Sequence, residues 1–463
     1  MTRRDALLAA RAPRWLGRRR TEVGLFLVAF LVFAATASRD LLCMDVWSAN
    51  YASWMLATSG SPFLDGASVP KLDDSPLRWV WVQDAPNGHT VITRAPAVVV
   101  AGVPAHLLAQ TDTAALLPGA VTAALLTALA VVLMHLALSK VMPRRRALAS
   151  TAVFAFTTPV WSVAANGVWP QTITVLAIAL VAWSAAGQHW WTMGLGGALL
   201  LSARPHAALI VAIVGLALAW RARRLDIAAR VGAPGVLGLV LVAAWTRWVY
   251  GSWNPTKLYG AGSFAEVDKS VLDVTNQLGM WISPDRGILV FTPLLLVLLP
   301  ALVRAWRTLP HWTTVLLLAG LTYTLLQGAM IGFTGGDPIY GYRYGLEFLA
   351  CATPAFAVSA SHARGVERRL IGPVIALQLV VILLGSIAEG VALNYTMAWS
   401  ANAFLRAMYY EPALIPIALA IGVPVAVVID RLVRTPRSWS DDDVASTGAE
   451  TASPERQVLS VRS

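Results

Sequence analysis

The sequence predicts an all-α, polytopic membrane protein, and three observations carry that prediction. Of 463 residues, 57% are hydrophobic and only 13% charged, about half the charge of an ordinary soluble domain. Mean hydropathy is +0.62, and many apolar runs approach the ~20 residues that cross a bilayer. Lys and Arg gather in short clusters between those runs, which is the pattern of cytoplasmic loops. The net charge of +11, from 36 Lys and Arg against 25 Asp and Glu, therefore points to membrane topology, and no nucleic-acid partner is expected.

Residues 1–21 are basic and are expected in the cytoplasm. Arg18-Arg19-Arg20, an apolar run and Ala35-Thr36-Ala37 have the form of a secretory signal. The run continues to Leu42, longer than a usual signal core, so residues 22–42 are read as an uncleaved first span. Residues 43–93 form a large outer loop. It opens on Asp45, and Trp47, Tyr51, Trp54 and Met55 then recur at i, i+4, i+7 and i+8. This spacing predicts an amphipathic helix on the membrane surface. Alternating residues at 78–83 and 89–94 flank Asp84-Ala85-Pro86-Asn87-Gly88 and predict a β-hairpin. Residues 95–110 are apolar but interrupted by Pro96, Gly102 and Pro104, and are read as a surface or re-entrant segment.

Further spans are expected at 114–139, 147–165, 168–186, 192–203, 206–220, 229–250, 287–303, 312–333, 344–361, 370–393 and 412–432. Arg204-Pro205 breaks one helical pair. The total is about twelve, within a range of 10–12, with both termini cytoplasmic. Residues 22–433 thus form one membrane domain with outer loops at 43–93, 251–286, 334–343 and 394–411. Residues 434–463 are rich in Ser, Asp and Glu and are expected to be a disordered cytoplasmic tail.

A charge in a span costs roughly 2.5–3.5 kcal/mol at the helix centre on insertion scales. Those away from the cytoplasmic rim are Asp45, Arg94, Arg204, Arg247, Asp285, Arg286, Asp337, Arg343, Glu347 and Glu389. This topology puts them all at the outer side. A carboxylate that takes a proton, beside guanidinium groups that hold a phosphate, suits transfer from a phosphate-linked donor. Nucleotide sugars are not supplied outside the plasma membrane, so such a donor would be a lipid phosphate. The plainer readings are a solvated loop charge for Asp45 and a carbonyl cap for an Arg before Pro. Arg247 and Glu389 read as snorkelling or paired structural charges. Nineteen Trp, among them Trp47, Trp54, Trp79, Trp81, Trp253 and Trp281 at outer positions, fit an interfacial belt better than a sugar-stacking surface. Cys43 and Cys351 read as small buried hydrophobes. Metal-ligand spacings, phosphate loops and Ser/His/Asp sets are absent from the sequence. No cofactor is expected, a divalent metal being the alternative left open.

Four stretches resemble the GT-C superfamily of polyprenyl-phosphate-dependent glycosyltransferases, in the branch of protein O-mannosyltransferases and the aminoarabinose transferase. They are Met44-Asp45-Val46 and the helix after it, Thr93-Arg94-Ala95-Pro96, Ser202-Ala203-Arg204-Pro205, and the pair formed by Ser283–Pro293 and Gly335–Tyr344. The likeness spans residues 23–354. It implies an inverting hexosyl- or pentosyltransferase with Asp45 as general base and Arg94 at the donor phosphate. Arg343, with Arg204 and Arg286, is a further phosphate candidate. Trp47, Tyr51, His89, Asp337 and Tyr342 are the expected substrate contacts. The donor would be a polyprenyl-phosphate sugar, and the acceptor a glycan, lipid or protein of the cell envelope. The chain departs from the pattern in having Met44 where many relatives have a second acid, Thr93 in place of an acid, and Tyr342 in place of a proline. A transporter or lipid-sugar flippase, and an inactive scaffold on the same fold, are the competing readings.

Overall fold

The computed structural model describes residues 20–39, 43–69, 72–73, 78–259, 273–334, 339–388 and 398–434. Its first helix, α1 (Arg20–Ala35), packs on α5 (Leu116–Leu138). Between them lie α2 (Met44–Ser59), the single turn α3 (Arg78–Trp81), the strands β1 (Val82–Asp84) and β2 (Thr90–Ile92), and α4 (Pro96–Ala109). The bundle continues through α6 (Arg144–Phe156), α7 (Pro170–Gly187), α8 (Trp190–Ala203), α9 (Ala208–Ala222) and α10 (Leu225–Tyr250). The last part holds α11 (Val274–Ile282), α12 (Ile288–Phe291), α13 (Leu294–Ala305), α14 (His311–Met330), α15 (Leu346–Ser359), α16 (Gly365–Ile387), α17 (Ala403–Tyr410) and α18 (Leu414–Arg434).

Helices occupy all twelve expected span positions. Seven among the described residues are long and apolar enough to cross a membrane: α5, α7, Pro205–Ala222, α10, α14, α16 and Leu414–Leu432. The other five are α1, α6, α8, α13 and α15, which run for 12 to 16 residues. Two of these are short because a proline interrupts them. Pro159 follows α6 and leads into a π turn at Val160–Ala164, and Pro293 separates α12 from α13. An interruption inside an apolar bundle leaves backbone groups that need partners. One buried side chain serves both breaks: Gln378 of α16 accepts from Leu294 N at 2.8 Å and donates to Thr157 O at 2.9 Å.

The loop after α1 differs from expectation in two ways. The helix expected on the membrane surface is α2, but every residue from Val46 to Ser53 is buried, so it has no single apolar face. Small residues in its neighbours let it sink in. A Cβ on Gly102 of α4 would lie 2.8 Å from Ser53 Cβ, and one on Gly119 of α5 would lie 2.0 Å from Asn50 Oδ1. The hairpin forms with Val82 opposite Ile92, Gln83 opposite Val91 and Asp84 opposite Thr90. Gly88 takes the left-handed conformation (φ 86°) that its turn requires. The first strand is shorter than expected because Arg78–Trp81 coils into α3. Residues 95–110 form the regular helix α4, with Pro96 in its first turn and Val98, Val99, Gly102 and His106 buried.

Ion pairs define two ends of the bundle. At one, Arg144 meets Glu22 at 2.9 Å, and Arg304 meets Glu367 and the His362 carbonyl. The other end carries Asp45, Arg94, Arg204 and Arg343. Along α10, Val236, Leu237, Leu239, Val240 and Leu241 are exposed, as expected of a lipid-facing helix.

Candidate active site

Asp45 lies in the first turn of α2, where the helix dipole favours an anion. The Cys43 carbonyl starts that turn by accepting from Val46 and Trp47 N at 3.0 Å. Both carboxylate oxygens of Asp45 are engaged. Oδ1 accepts from Arg94 Nη2 at 2.6 Å and from Trp81 Nε1 at 2.8 Å, while Oδ2 accepts from Arg343 Nη1 at 2.5 Å. The Asp45 side chain keeps about a quarter of its exposure, whereas both arginine side chains are 9% exposed. Burial pushes its acidity one way and its partners push it the other. Desolvation raises the Asp45 pKa, but Arg94, Arg343 and the Trp81 indole outweigh it and hold the carboxyl well below the usual range.

Each arginine is fixed by contacts of its own. Arg94 follows β2, and donates from Nε to Ser48 Oγ at 2.7 Å and from Nη1 to the Thr93 carbonyl at 2.9 Å. Arg343 donates from Nη2 to the Tyr344 hydroxyl at 2.8 Å. Its guanidinium carbon lies 4.9 Å from the Trp169 ring centroid and 4.8 Å from that of Tyr344, within cation–π range. Among the described residues its Nε has no hydrogen-bond acceptor.

The backbone before Arg343 is tightly held. Tyr340 presents its carbonyl to Ser162 Oγ at 2.9 Å and its hydroxyl to the Val381 carbonyl at 2.9 Å. Gly341 has a φ of 94°, where a side chain would be strained. A second layer lies behind Tyr344. Arg204, in the break between α8 and α9, has its guanidinium carbon 5.0 Å from the Tyr344 centroid. It also donates from Nη1 to Glu347 Oε1 at 3.1 Å, which takes a further bond from Thr174 Oγ1 at 2.9 Å.

No protein-family model and no curated protein matches the chain. Solved structures do match. ArnT from Cupriavidus metallidurans bound to undecaprenyl phosphate is 14% identical, over 95% of this chain and 82% of its own, with a TM-score of 0.51. The apo form gives 13% identity over 91% and 78%, with a TM-score of 0.50. The oligosaccharyltransferase AglB from Archaeoglobus fulgidus has a TM-score of 0.47, with 11% identity over 95% of this chain and 59% of its own. The chain has the GT-C fold. The architecture expected from the sequence motifs is therefore the one observed, although pairwise identity is low.

Within this GT-C fold, the expected residues divide into groups. Asp45, Arg94 and Arg343 meet directly, and Arg204 stands one aromatic ring behind them. Arg286 is elsewhere: it is fully buried, 3.7 Å from Asp285, and donates to the Ile339 carbonyl at 2.6 Å. That bond helps to fix the segment leading to Arg343. Tyr342 is buried with its hydroxyl 2.6 Å from Thr292 Oγ1. Trp47 is buried against Tyr51, whose hydroxyl donates to the Ser68 carbonyl at 3.0 Å. His89 sits at the end of the hairpin, 2.8 Å from Asp65 and stacked on Phe63. Asp337 lies outside the described residues.

Trp81, Trp169, Tyr344 and Ser48 complete the site without having been assigned to it from the sequence. Glu347 stood out only as an intramembrane charge. Among the described residues, no three His, Cys, Asp or Glu side chains come together as metal ligands. The guanidinium groups around Asp45 suit an incoming anion.

Proposed function

We propose that this chain is an inverting glycosyltransferase of the plasma membrane, which moves a hexose or pentose from a polyprenyl-phosphate donor to a hydroxyl of a cell-envelope acceptor. The observation that carries this reading is the pair of guanidinium groups on the two oxygens of Asp45. One cluster then contains both a base and a phosphate clamp. The GT-C fold, and the undecaprenyl phosphate bound by the ArnT that shares it, support the donor class. Sidedness rests on charge: the basic clusters lie at the opposite end of the bundle, as cytoplasmic loops do, so the reaction occurs at the outer face.

In this mechanism the donor phosphate competes with Asp45 for Arg94 and Arg343. Charge-assisted bonds to phosphate oxygens are as favourable to guanidinium as those to a carboxylate. Shifting them to the donor leaves Asp45 facing the acceptor hydroxyl, with less positive charge around it and correspondingly greater basicity. Asp45 takes the hydroxyl proton as the acceptor oxygen bonds to the anomeric carbon. The clamp meanwhile stabilises the charge that grows on the departing phosphate.

The test is incubation of the purified full-length protein with a panel of radiolabelled polyprenyl-phosphate sugars and envelope acceptors. A labelled glycoside formed together with free polyprenyl phosphate is the expected result. Labelled sugar crossing a vesicle membrane with no glycosidic product would replace this reading with transport.

A further inference from the structure

We infer that Glu347 is a specificity-determining residue that matches the site to a donor carrying one phosphodiester charge, a lipid monophosphate sugar, over a lipid diphosphate sugar. This inference rests on the lipid-phosphate donor proposed above. Glu347 has no exposed surface. Its Oε1 accepts from Arg204 and Thr174, and among the described residues its Oε2 has no hydrogen-bond partner. A buried carboxylate with one bare oxygen is costly, and an apolar pair of similar size would pack in place of the Arg204–Glu347 pair at less expense. Packing alone therefore does not account for Glu347.

The pair is coupled to the reacting centre. The guanidinium carbons of Arg204 and Arg343 lie 5.0 Å and 4.8 Å from the centroid of the same Tyr344 ring. Arg343 in turn holds Asp45. Arg94, Arg204 and Arg343 with Asp45 and Glu347 thus form one connected set, with one positive charge in excess.

That excess equals the single negative charge of a monophosphate-linked donor, so the loaded site is neutral. During transfer the acceptor oxygen bonds to the anomeric carbon. The bond from that carbon to the phosphate oxygen breaks, leaving its electron pair on the phosphate. The hydroxyl proton passes to Asp45. The lipid phosphate now carries two negative charges and Asp45 none, so the side chains carry two positive charges in excess. The site is neutral again.

Removing the charge of Glu347 would leave one positive charge uncompensated at both stages. The site would then suit a donor with two negative charges and would retain its product. One unit charge removed from a buried site, at its effective permittivity, shifts such an equilibrium by on the order of tenfold.

The experiment uses the full-length protein in lipid nanodiscs at neutral pH, with undecaprenyl phosphate and undecaprenyl diphosphate as probes. Wild type, Glu347→Gln and Glu347→Asp are compared. Wild type is expected to bind the monophosphate more tightly. Glu347→Gln retains an acceptor for Arg204 and should bind the monophosphate roughly tenfold more tightly. It should gain more for the diphosphate, so that the preference narrows or inverts. Its turnover should show a lower kcat together with a lower KM, as slow product release requires. Glu347→Asp should keep the wild-type preference. An unchanged ratio in Glu347→Gln overturns the inference. So does a wild-type preference for the diphosphate, a result that needs no variant to fold. Binding of neither lipid by wild type overturns the donor reading itself, and this inference with it.

Discussion

Trp81→Phe tests the neutral donor that, among the described residues, joins the two arginines on the Asp45 carboxylate. The substitution keeps an aromatic ring at the end of α3 and removes the indole N–H, which lies 2.8 Å from Asp45 Oδ1, together with part of the ring. A hydrogen bond to a charged group contributes about 1.5–3 kcal/mol, and losing all of it from the transition state would slow transfer roughly 10- to 150-fold. A compensating effect acts in the other direction. Trp81 is among the groups that hold the Asp45 carboxyl below the usual range, so its removal makes the carboxylate more basic and recovers part of the rate. The net expectation is a kcat on the order of tenfold lower. Donor KM should stay within about twofold, since the indole N–H bonds to Asp45 and to neither guanidinium, and a change below that size is under 0.5 kcal/mol. The assay is the initial rate of label transfer at saturating donor, with a melting curve measured beside it. An unchanged rate would refute a contribution of the Trp81 N–H to the reactivity of Asp45. A loss beyond about a thousandfold in a folded protein exceeds one hydrogen bond, and would mean that Trp81 touches the reacting groups.

Three other outcomes follow from the same contacts. Arg343→Lys keeps a charge but cannot donate to Asp45 and the Tyr344 hydroxyl in the same fork geometry, so affinity for undecaprenyl phosphate should fall by roughly 10- to 100-fold, measured by direct binding. Gly102→Ala puts a Cβ 2.8 Å from Ser53 Cβ, pushing α4 from α2; such overpacking costs about 1–3 kcal/mol, and the melting temperature should drop. Asp45 has a depressed pKa, so its contribution to stability is complete above the unfolded carboxylate pKa of about 3.9 and is lost as pH falls through its lower folded value. The gap in melting temperature between wild type and Asp45→Asn should therefore be constant from neutral pH down to about 5 and close below 4.

Much of the candidate site was legible because charge is rare in this chain. Asp45, Arg94, Arg204 and Arg343 stand out against apolar surroundings, and two of the arginines do meet Asp45. The hairpin was legible from Pro86-Asn87-Gly88, and the helix break from Arg204-Pro205. Other features depend on partners distant in sequence. Trp81 is one of nineteen Trp, and no local pattern marks the one whose N–H finds a carboxylate. Glu347 and Arg204 are 143 residues apart, so their pairing comes from the approach of α15 to the α8–α9 break. The burial of α2 on all sides from Val46 to Ser53 was hidden for the same reason: the glycines that permit it, Gly102 and Gly119, belong to other helices. The position of Arg286, on the Ile339 carbonyl and away from Asp45, was not legible, because a buried guanidinium that serves a backbone carbonyl looks the same in sequence as one that serves a carboxylate.

The decisive comparison is label transfer by wild type and Asp45→Asn, with matched polyprenyl-phosphate sugar and acceptor in membranes. Wild type should form the glycoside and release polyprenyl phosphate. Asp45→Asn should still bind the lipid phosphate, yet turn over roughly a thousandfold more slowly, as loss of a general base requires. Full turnover by folded Asp45→Asn would contradict the assignment of Asp45 as the base.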